Sequence, residues 1–346
     1  MSKKKLIWVV LFLLIAGLSI WTITSQCSSF SFKELCDDIV NANKPLLILS
    51  FICMLGFIYF EGLSLCTIIK ELYPEKYKRH GILYSTSDIY FSAITPSASG
   101  GQPASAYFMM RDGVPGSIAM IVLIVNLIMY VLSLMITGLI CIIFRYDLLA
   151  SYDGFAKLLI VIGYVVLAGL VAAFFLLLFH DTLFSKIANT VFKILIKLHL
   201  LHNEERRRAK LNNMIDDYRE CSKAISGKKK MLIKVFCINM LQRLSQISVS
   251  MFVFLSVGGP LKKAFDVWVI QGLTLVGANC IPIPGAMGAA DYLLIEGFSH
   301  VPEIESTANL ELLCRGISFY SCTILSGIIV LIGYFVIRKV DNDRLL

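Results

Sequence analysis

The chain has 346 residues, 57% hydrophobic and 16% charged, with a formal net charge of +8. Soluble domains carry about a quarter charged residues, so this composition excludes a soluble enzyme and points to an all-α polytopic membrane protein. The positive charge sits in loops between apolar runs, where it sets membrane orientation; no direct nucleic-acid partner is expected.

Six apolar runs, at 6–23, 45–69, 117–144, 158–179, 231–257 and 312–337, approach or exceed the roughly 20 residues of helix needed to cross a bilayer core. Lys3, Lys4 and Lys5 precede the first run as they would in a signal peptide. That run is long for such a segment and lacks a small-x-small cleavage site, so it reads as an uncleaved span. Two further runs, 88–110 and 266–298, are interrupted. Pro96, Gly100, Gly101 and Pro103 break the first, and the segment IPIPGAMG at 281–288, with Pro284, Gly285 and Gly288, breaks the second. Each arm of the first has about eight residues, roughly 12 Å of helix, and cannot span. Broken backbone at membrane depth is tolerated only inside protein or beside a water-filled cavity. Both segments therefore read as re-entrant helical hairpins, and interruptions of this kind point to a transporter's substrate site.

Six crossings with two hairpins leave both termini on one side, which then holds 23 Lys and Arg against six on the other. The positive-inside rule makes that side cytoplasmic. If the first interrupted run crossed once, the basic segment 180–230 would face outward. The two hairpins then enter from opposite faces, and their shared spacing, Pro96-x-x-x-Gly100 and Pro284-x-x-x-Gly288, fits an inverted repeat. Two proline-kinked helices with a packing role are the alternative. The segment 180–230 reads either as a basic amphipathic helix on the cytoplasmic membrane surface or as a solvated connector. About 50 residues of this composition cannot house a globular catalytic domain, so residues 1–346 are expected to form a single integral membrane domain.

Ten cysteines show no CxxC pattern and no Cys/His cluster, and most lie in apolar runs. Cys27 and Cys36 could pair outside the membrane. The five histidines fall in loops or at span ends, and no HExxH, P-loop or GxSxG motif occurs, so no metal, cofactor or catalytic residue is expected.

At the first break, Gly100, Gly101 and Pro103 suit a tight turn followed by a helix with proline in its first turn. Gly101 is expected to serve both a positive φ and a close backbone approach. The new helix, like the one after Gly288, would point its positive dipole end into the membrane middle, which suits an anion such as phosphate. Thr95, Ser97, Ser99, Gln102 and Ser105 add polar partners, or else satisfy broken backbone locally. Ionisable residues inside apolar runs are Glu61, Arg243, Asp291, Glu296 and Arg315, and each should pair or face a cavity. Arg243 and Arg315 are candidates for a lipid phosphate. Asp291 can favour the second half-helix or face a cationic headgroup. A structural ion pair of Glu61 with Arg243 is the competing use, and Glu296 and Arg315 lie close enough to span ends to snorkel. The expected substrate-binding set is Thr95, Pro96, Ser97, Ser99, Gly100, Gly101, Gln102, Pro103, Arg243, Pro284, Gly285, Gly288, Asp291 and Arg315, around one midplane cavity.

The residues TPSASGGQPASAYFMMRDG at 95–113, with IPIPGAMGAAD at 281–291, resemble the lysylphosphatidylglycerol synthase transmembrane (flippase-like) family. That family includes the membrane half of the multiple peptide resistance factor of bacteria. The resemblance implies a multi-pass protein of the bacterial plasma membrane that moves aminoacylated phosphatidylglycerol to the outer leaflet. Such transport reduces surface negativity and protects against cationic antimicrobial peptides. In full-length members a C-terminal cytosolic domain makes the lipid from lysyl-tRNA; here the chain stops at Leu346, just after the last span, and that domain is expected to be absent. Some branches carry Glu and Arg where this chain has Gln102 and Ser105, a departure that bears on the substrate. The leading expectation is a translocase for lysyl-phosphatidylglycerol or a related membrane phospholipid. The alternatives are a phosphatidylglycerol lysyltransferase acting only with a separately encoded lipid-synthesising domain, and a non-transporting membrane scaffold. A homo-oligomer is compatible with each.

Overall fold

The computed structural model describes residues 37, 39–74, 80–95, 98–179, 227–279, 281, 283–301 and 306–343, with isolated positions between 185 and 225. The expected span at 6–23, the Cys27–Cys36 pair, most of the 180–230 segment, and Pro96 and Ser97 lie outside the described residues.

The regular structure among the described residues is helical, without strands. Helix α1, Lys44–Leu72, starts where Asn43 accepts the Leu46 N–H at 3.4 Å and Pro45, which has no N–H to lose, enters the first turn. The first interrupted run forms α2, Gly81–Ile94, and α3, Gly101–Arg111. Pro115 precedes α4, Gly116–Phe144, and a short α5, Tyr146–Ser151, leads to α6, Gly154–Phe179. Helix α7, Lys229–Ser256, is followed by the second interrupted run: α8, Leu261–Ala278, a 3₁₀ turn Pro284–Ala286, and α9, Ala289–Ser299. The chain then continues through α10, Thr307–Arg315, one π-helical segment Gly316–Ser321, and α11, Cys322–Asp343.

Four of these stretches are long and apolar enough to cross a membrane: Lys44–Leu72, Gly116–Phe144, Gly154–Leu176 and Thr307–Val336. They match four of the six expected runs. Their outer faces expose large apolar side chains such as Ile52, Ile143, Val165 and Leu331, as a lipid-facing surface requires and a water-facing one does not tolerate over such an area. The fifth expected run became α7, whose 28 residues extend about 42 Å. It is less apolar than the four because Asn239, Gln242, Arg243 and Ser250 point inward and are buried. Helices α1, α4, α8 and α10 all pack against α7, so protein takes the place of lipid around it. The protein is thus an all-helical, multi-pass membrane protein.

One motif of the fold occurs twice: a long helix, two shorter helices, a second long helix. It comprises α1, α2–α3 and α4 in the first instance, and α7, α8–α9 and α10–α11 in the second. The leading helices α1 and α7 form the most extensive helix pair among the described residues. In both pairs the half-helices fold back on each other. His80, just before α2, lies 2.8 Å from Asp112, just after α3, so the far ends of the first pair meet. In the second, Gly277 and Gly297 of α8 and α9 abut Leu293 and Ile270 across the pair. Helices α1 and α2 cross with backbones in contact: a Cβ on Gly62 would sit 2.5 Å from the Gly81 carbonyl oxygen.

Candidate functional site at the two breaks

The two breaks share two local features. Ala98 and Ala286, each two residues after the turn's proline in sequence, are the two non-glycine residues with positive φ, 52° and 49°, among the described residues. In both a glycine, Gly100 or Gly288, directly precedes an eleven-residue half-helix. At the first break Thr95 ties the open backbone together: its hydroxyl donates to the Phe91 carbonyl at 2.5 Å and accepts from the Gly100 N–H at 2.9 Å. Pro103 lies in the first turn of α3, as expected, and both Pro103 and Ser99 are exposed. Gly101 is not in the left-handed region, so positive φ is not the reason for glycine there. The close approach is: a Cβ would lie 2.0 Å from both Asp88 Oδ1 and Ser92 Oγ.

Asp88 therefore places its carboxylate against the start of α3. It accepts from Gln102 Nε2 at 2.8 Å and from Ser92 Oγ at 3.1 Å. Its carboxyl also lies within hydrogen-bonding reach of Glu61 on α1, and Glu61 accepts from Gln242 Nε2 of α7 at 3.3 Å. Next to Gln242, the side chain of Arg243 is fully buried. Its guanidinium lies over the Tyr130 ring at 4.0 Å and the Phe57 ring at 5.2 Å, and Nη1 donates to Gln246 Oε1 at 2.6 Å. Nε and Nη2 have no hydrogen-bond partner among the described residues. The direct Glu61–Arg243 ion pair does not form, because two aromatic faces hold the guanidinium while the Gln242 amide takes the carboxylate. Ser105 Oγ, in the second turn of α3, is likewise buried without a partner.

The second break is closed by charge. Gly285 and Gly288 adopt φ of 61° and 81°, which only glycine takes readily. Asp291 Oδ2 accepts the Gly288 N–H at 2.8 Å, and Oδ1 lies 2.9 Å from Arg315 Nε. Arg315 Nη2 donates to the Gly285 carbonyl at 3.3 Å, and its guanidinium stands 4.7 Å from the Phe319 ring centre. Phe319 fills the space beside the turn: a Cβ on Gly285 would be 2.3 Å from its ring. Glu311, one helical turn before Arg315, has Oε1 at 3.9 Å from the same guanidinium. Arg315 is thus buried in a cluster and does not snorkel, whereas Glu296 caps the Asp153 N–H at 3.0 Å near the end of α9. Beside it Tyr292 donates to Asp153 Oδ2 at 2.6 Å, a bond that holds the Asp153 carboxyl below the usual aspartate range.

The dipole ends of α3 and α9 were expected to be bare and receptive to phosphate. Each instead faces a carboxylate of the chain, Asp88 or Asp291. The two breaks adjoin: α2 touches the turn at Pro284–Ala286, and the π segment touches α1 and α7, which carry Glu61 and Arg243. Sequence reasoning missed Asp88, Glu311, Gln242 and the three aromatic partners. Asp88 and Glu311 stand at the edges of their apolar runs, where a charge reads as a boundary. Their signals were the i, i+4 spacing of Glu311 and Arg315, and an aspartate one arm's length before Gly101.

No curated protein and no solved structure matches the chain. Residues 7–326, nearly the whole length, match the family described as lysylphosphatidylglycerol synthase TM region, and to that family the chain belongs.

Proposed function

We propose that this protein translocates a phospholipid across the bacterial plasma membrane, with the headgroup passing between the two breaks. The observation that carries this reading is Arg243: a buried guanidinium held on two aromatic rings with two nitrogens unpartnered. Desolvated donors of this kind are strong ligands for a phosphate, which a guanidinium can grip with two parallel bonds. Asp88 and Glu61 stand nearby as acceptors for an ammonium group. A headgroup with both a phosphate and an amine fits this pairing, and the family description names one, lysyl-phosphatidylglycerol. Moving that lipid outward would reduce surface negativity and contribute to resistance against cationic antimicrobial peptides. In this reading α2–α3 and α8–α9 are re-entrant hairpins from opposite faces, with both termini cytoplasmic.

The test uses purified protein in phosphatidylglycerol liposomes containing lysyl-phosphatidylglycerol. Leaflet exchange well above protein-free vesicles is expected, and exchange equal to protein-free vesicles overturns the reading in favour of a scaffold. For the topology, a Glu205→Cys variant on a cysteine-free background should resist impermeant label added from outside; labelling there overturns it.

The family description also favours a second reading, the membrane part of a phosphatidylglycerol lysyltransferase that works with a separate domain. The pure 346-residue chain is expected to transfer no radiolabelled lysine from lysyl-tRNA to phosphatidylglycerol. Lipid-bound label above the no-protein control would make the chain an enzyme.

A further inference from the structure

The second break buries more negative charge than it neutralises. Asp291 of α9 and Glu311 of α10 share one guanidinium, with Arg315 Nε 2.9 Å from Asp291 Oδ1 and 3.9 Å from Glu311 Oε1. Asp291 and Arg315 are buried, Glu311 is 0% exposed, and neither Glu311 oxygen accepts a hydrogen bond from the described residues. The carboxyl groups of Glu311 and Asp291 lie within hydrogen-bonding reach of each other. Two ionised carboxylates only accept, so that contact becomes a bond when a proton sits between them. Fully ionised, the trio would hold a net negative charge out of water, which is heavily penalised.

Among the described residues, the surroundings supply no second cation. Cys314, the other titratable neighbour on α10, is a buried thiol and brings no positive charge. The charged side chain of α7 in the interior, Arg243, stands on Tyr130 and Phe57. Those of α8 lie at its far end, where Asp266 pairs with Arg145 and Lys263. The π segment that follows Arg315 carries no charge.

Arg315 is also the clamp on the turn, through the Gly285 carbonyl and the Phe319 ring. One guanidinium thus divides its attraction between the carboxyl pair and the broken backbone. Adding a proton to the pair weakens its hold on Arg315, and removing one strengthens it. The clamp is followed directly by a π-helical segment, a feature that recurs at functional sites. Resting on the translocase reading above, we propose that the Asp291–Glu311 pair carries an exchangeable proton whose gain and loss couple lipid translocation to a proton gradient. The proton arrives from water to form an O–H bond on one carboxylate oxygen. It leaves from that oxygen to water on the other side, and no electrons are exchanged.

Two measurements on the full chain test this. Infrared spectroscopy of the purified protein at neutral pH should show the C=O stretch of a protonated carboxylic acid, lost in Glu311→Gln. If that variant does not fold, Asp291→Asn replaces it. A native protein without the band overturns the proposal. In phosphatidylglycerol liposomes containing lysyl-phosphatidylglycerol and an entrapped pH dye, an imposed pH gradient should change the exchange rate about tenfold, within the range usual for coupled sites. The dye should report proton movement with the lipid, and the Glu311→Gln variant should lose the gradient response. Exchange that ignores the gradient overturns the coupling while leaving translocation standing. No exchange in any vesicle overturns the translocase reading and the coupling with it.

Discussion

At the first break Arg243 rests on Tyr130 and Phe57 with two nitrogens unpartnered, whereas at the second Arg315 is bound to Asp291 and to the Gly285 carbonyl. Each region groups two carboxyl groups with one guanidinium, Glu61 lying between Asp88 and Arg243 in the first, and Asp291 and Glu311 flanking Arg315 in the second. The difference lies in what the guanidinium touches. An aromatic face stabilises the cation without using its N–H donors, so two nitrogens of Arg243 stay unpartnered among the described residues. At Arg315 the carboxylates neutralise the cation and Nη2 donates to the broken backbone, so Arg315 holds the fold. In the proposed function the first guanidinium receives an anion, whereas the second fastens the turn.

The largest expected effect is on the fastener. Arg315→Ala leaves Asp291 and Glu311 buried without their cation, and breaking a buried pair typically costs about 3–5 kcal/mol. Its melting temperature in detergent should fall well below that of the native protein, and an unchanged value would dissolve the distinction between the two arginines.

Next comes the tip of the first half-helix. Gly101→Val forces atoms into Asp88 and Ser92, including the Asp88 backbone oxygen at 2.6 Å from the new Cβ. Lipid exchange in liposomes should drop to the protein-free rate. Gly288→Ala at the other break meets nothing within 4 Å and carries only the strain of its sparsely populated φ of 81° and ψ of −51°, about 1–3 kcal/mol, so part of the exchange should survive. Equal losses would mean that strain and not crowding governs both tips.

Arg243→Ala sharpens the receptive side. Removing a buried guanidinium that has no carboxylate in direct contact should lower the melting temperature by less than Arg315→Ala does. Affinity for lysyl-phosphatidylglycerol in detergent should fall at least tenfold, about 1.4 kcal/mol. A large stability loss with intact binding would make Arg243 a second fastener.

The smallest effect is at the rim. Asp153 has its pKa lowered by the Tyr292 hydroxyl, so the tie is fully present above the ordinary aspartate value, about 3.9, and is lost as pH falls through the lowered one. The native protein should therefore exceed Tyr292→Phe in melting temperature by a constant margin at neutral pH, and the margin should shrink on acidification. A margin that grows on acidification would reverse the sign of the linkage.

The breaks themselves were legible because proline and glycine clustered inside an apolar run interrupt a helix where they stand. So were four of the spans, whose lipid-facing surfaces demand uninterrupted apolar sequence. Arg243, Asp291 and Arg315 stood out for a related reason: a charge in an apolar run needs a partner. The identity of the partner was not legible. Gln242 competes with Arg243 for Glu61, and nothing in the spacing of residues on α1 and α7 says which side chain arrives first. Nor could periodicity reveal that Asp88 turns back onto Gly101, since that contact is made across the fold of a hairpin.

The polar interior of α7 has a consequence for how the protein is made. A single arginine at the centre of an isolated helix costs about 2.5–3.5 kcal/mol to insert, and Asn239 and Gln242 add to the burden on this one. Helix α7 leaves the ribosome well after α1 and α4, the helices whose Ser64, Asn126, Glu61 and Tyr130 receive its polar side chains. Synthesis order thus prepares a polar seam before the helix that needs it emerges. Membrane integration of α7 is then a docking step onto the earlier half of the chain, and α7 expressed alone, Lys229–Ser256, should be retained poorly by the bilayer.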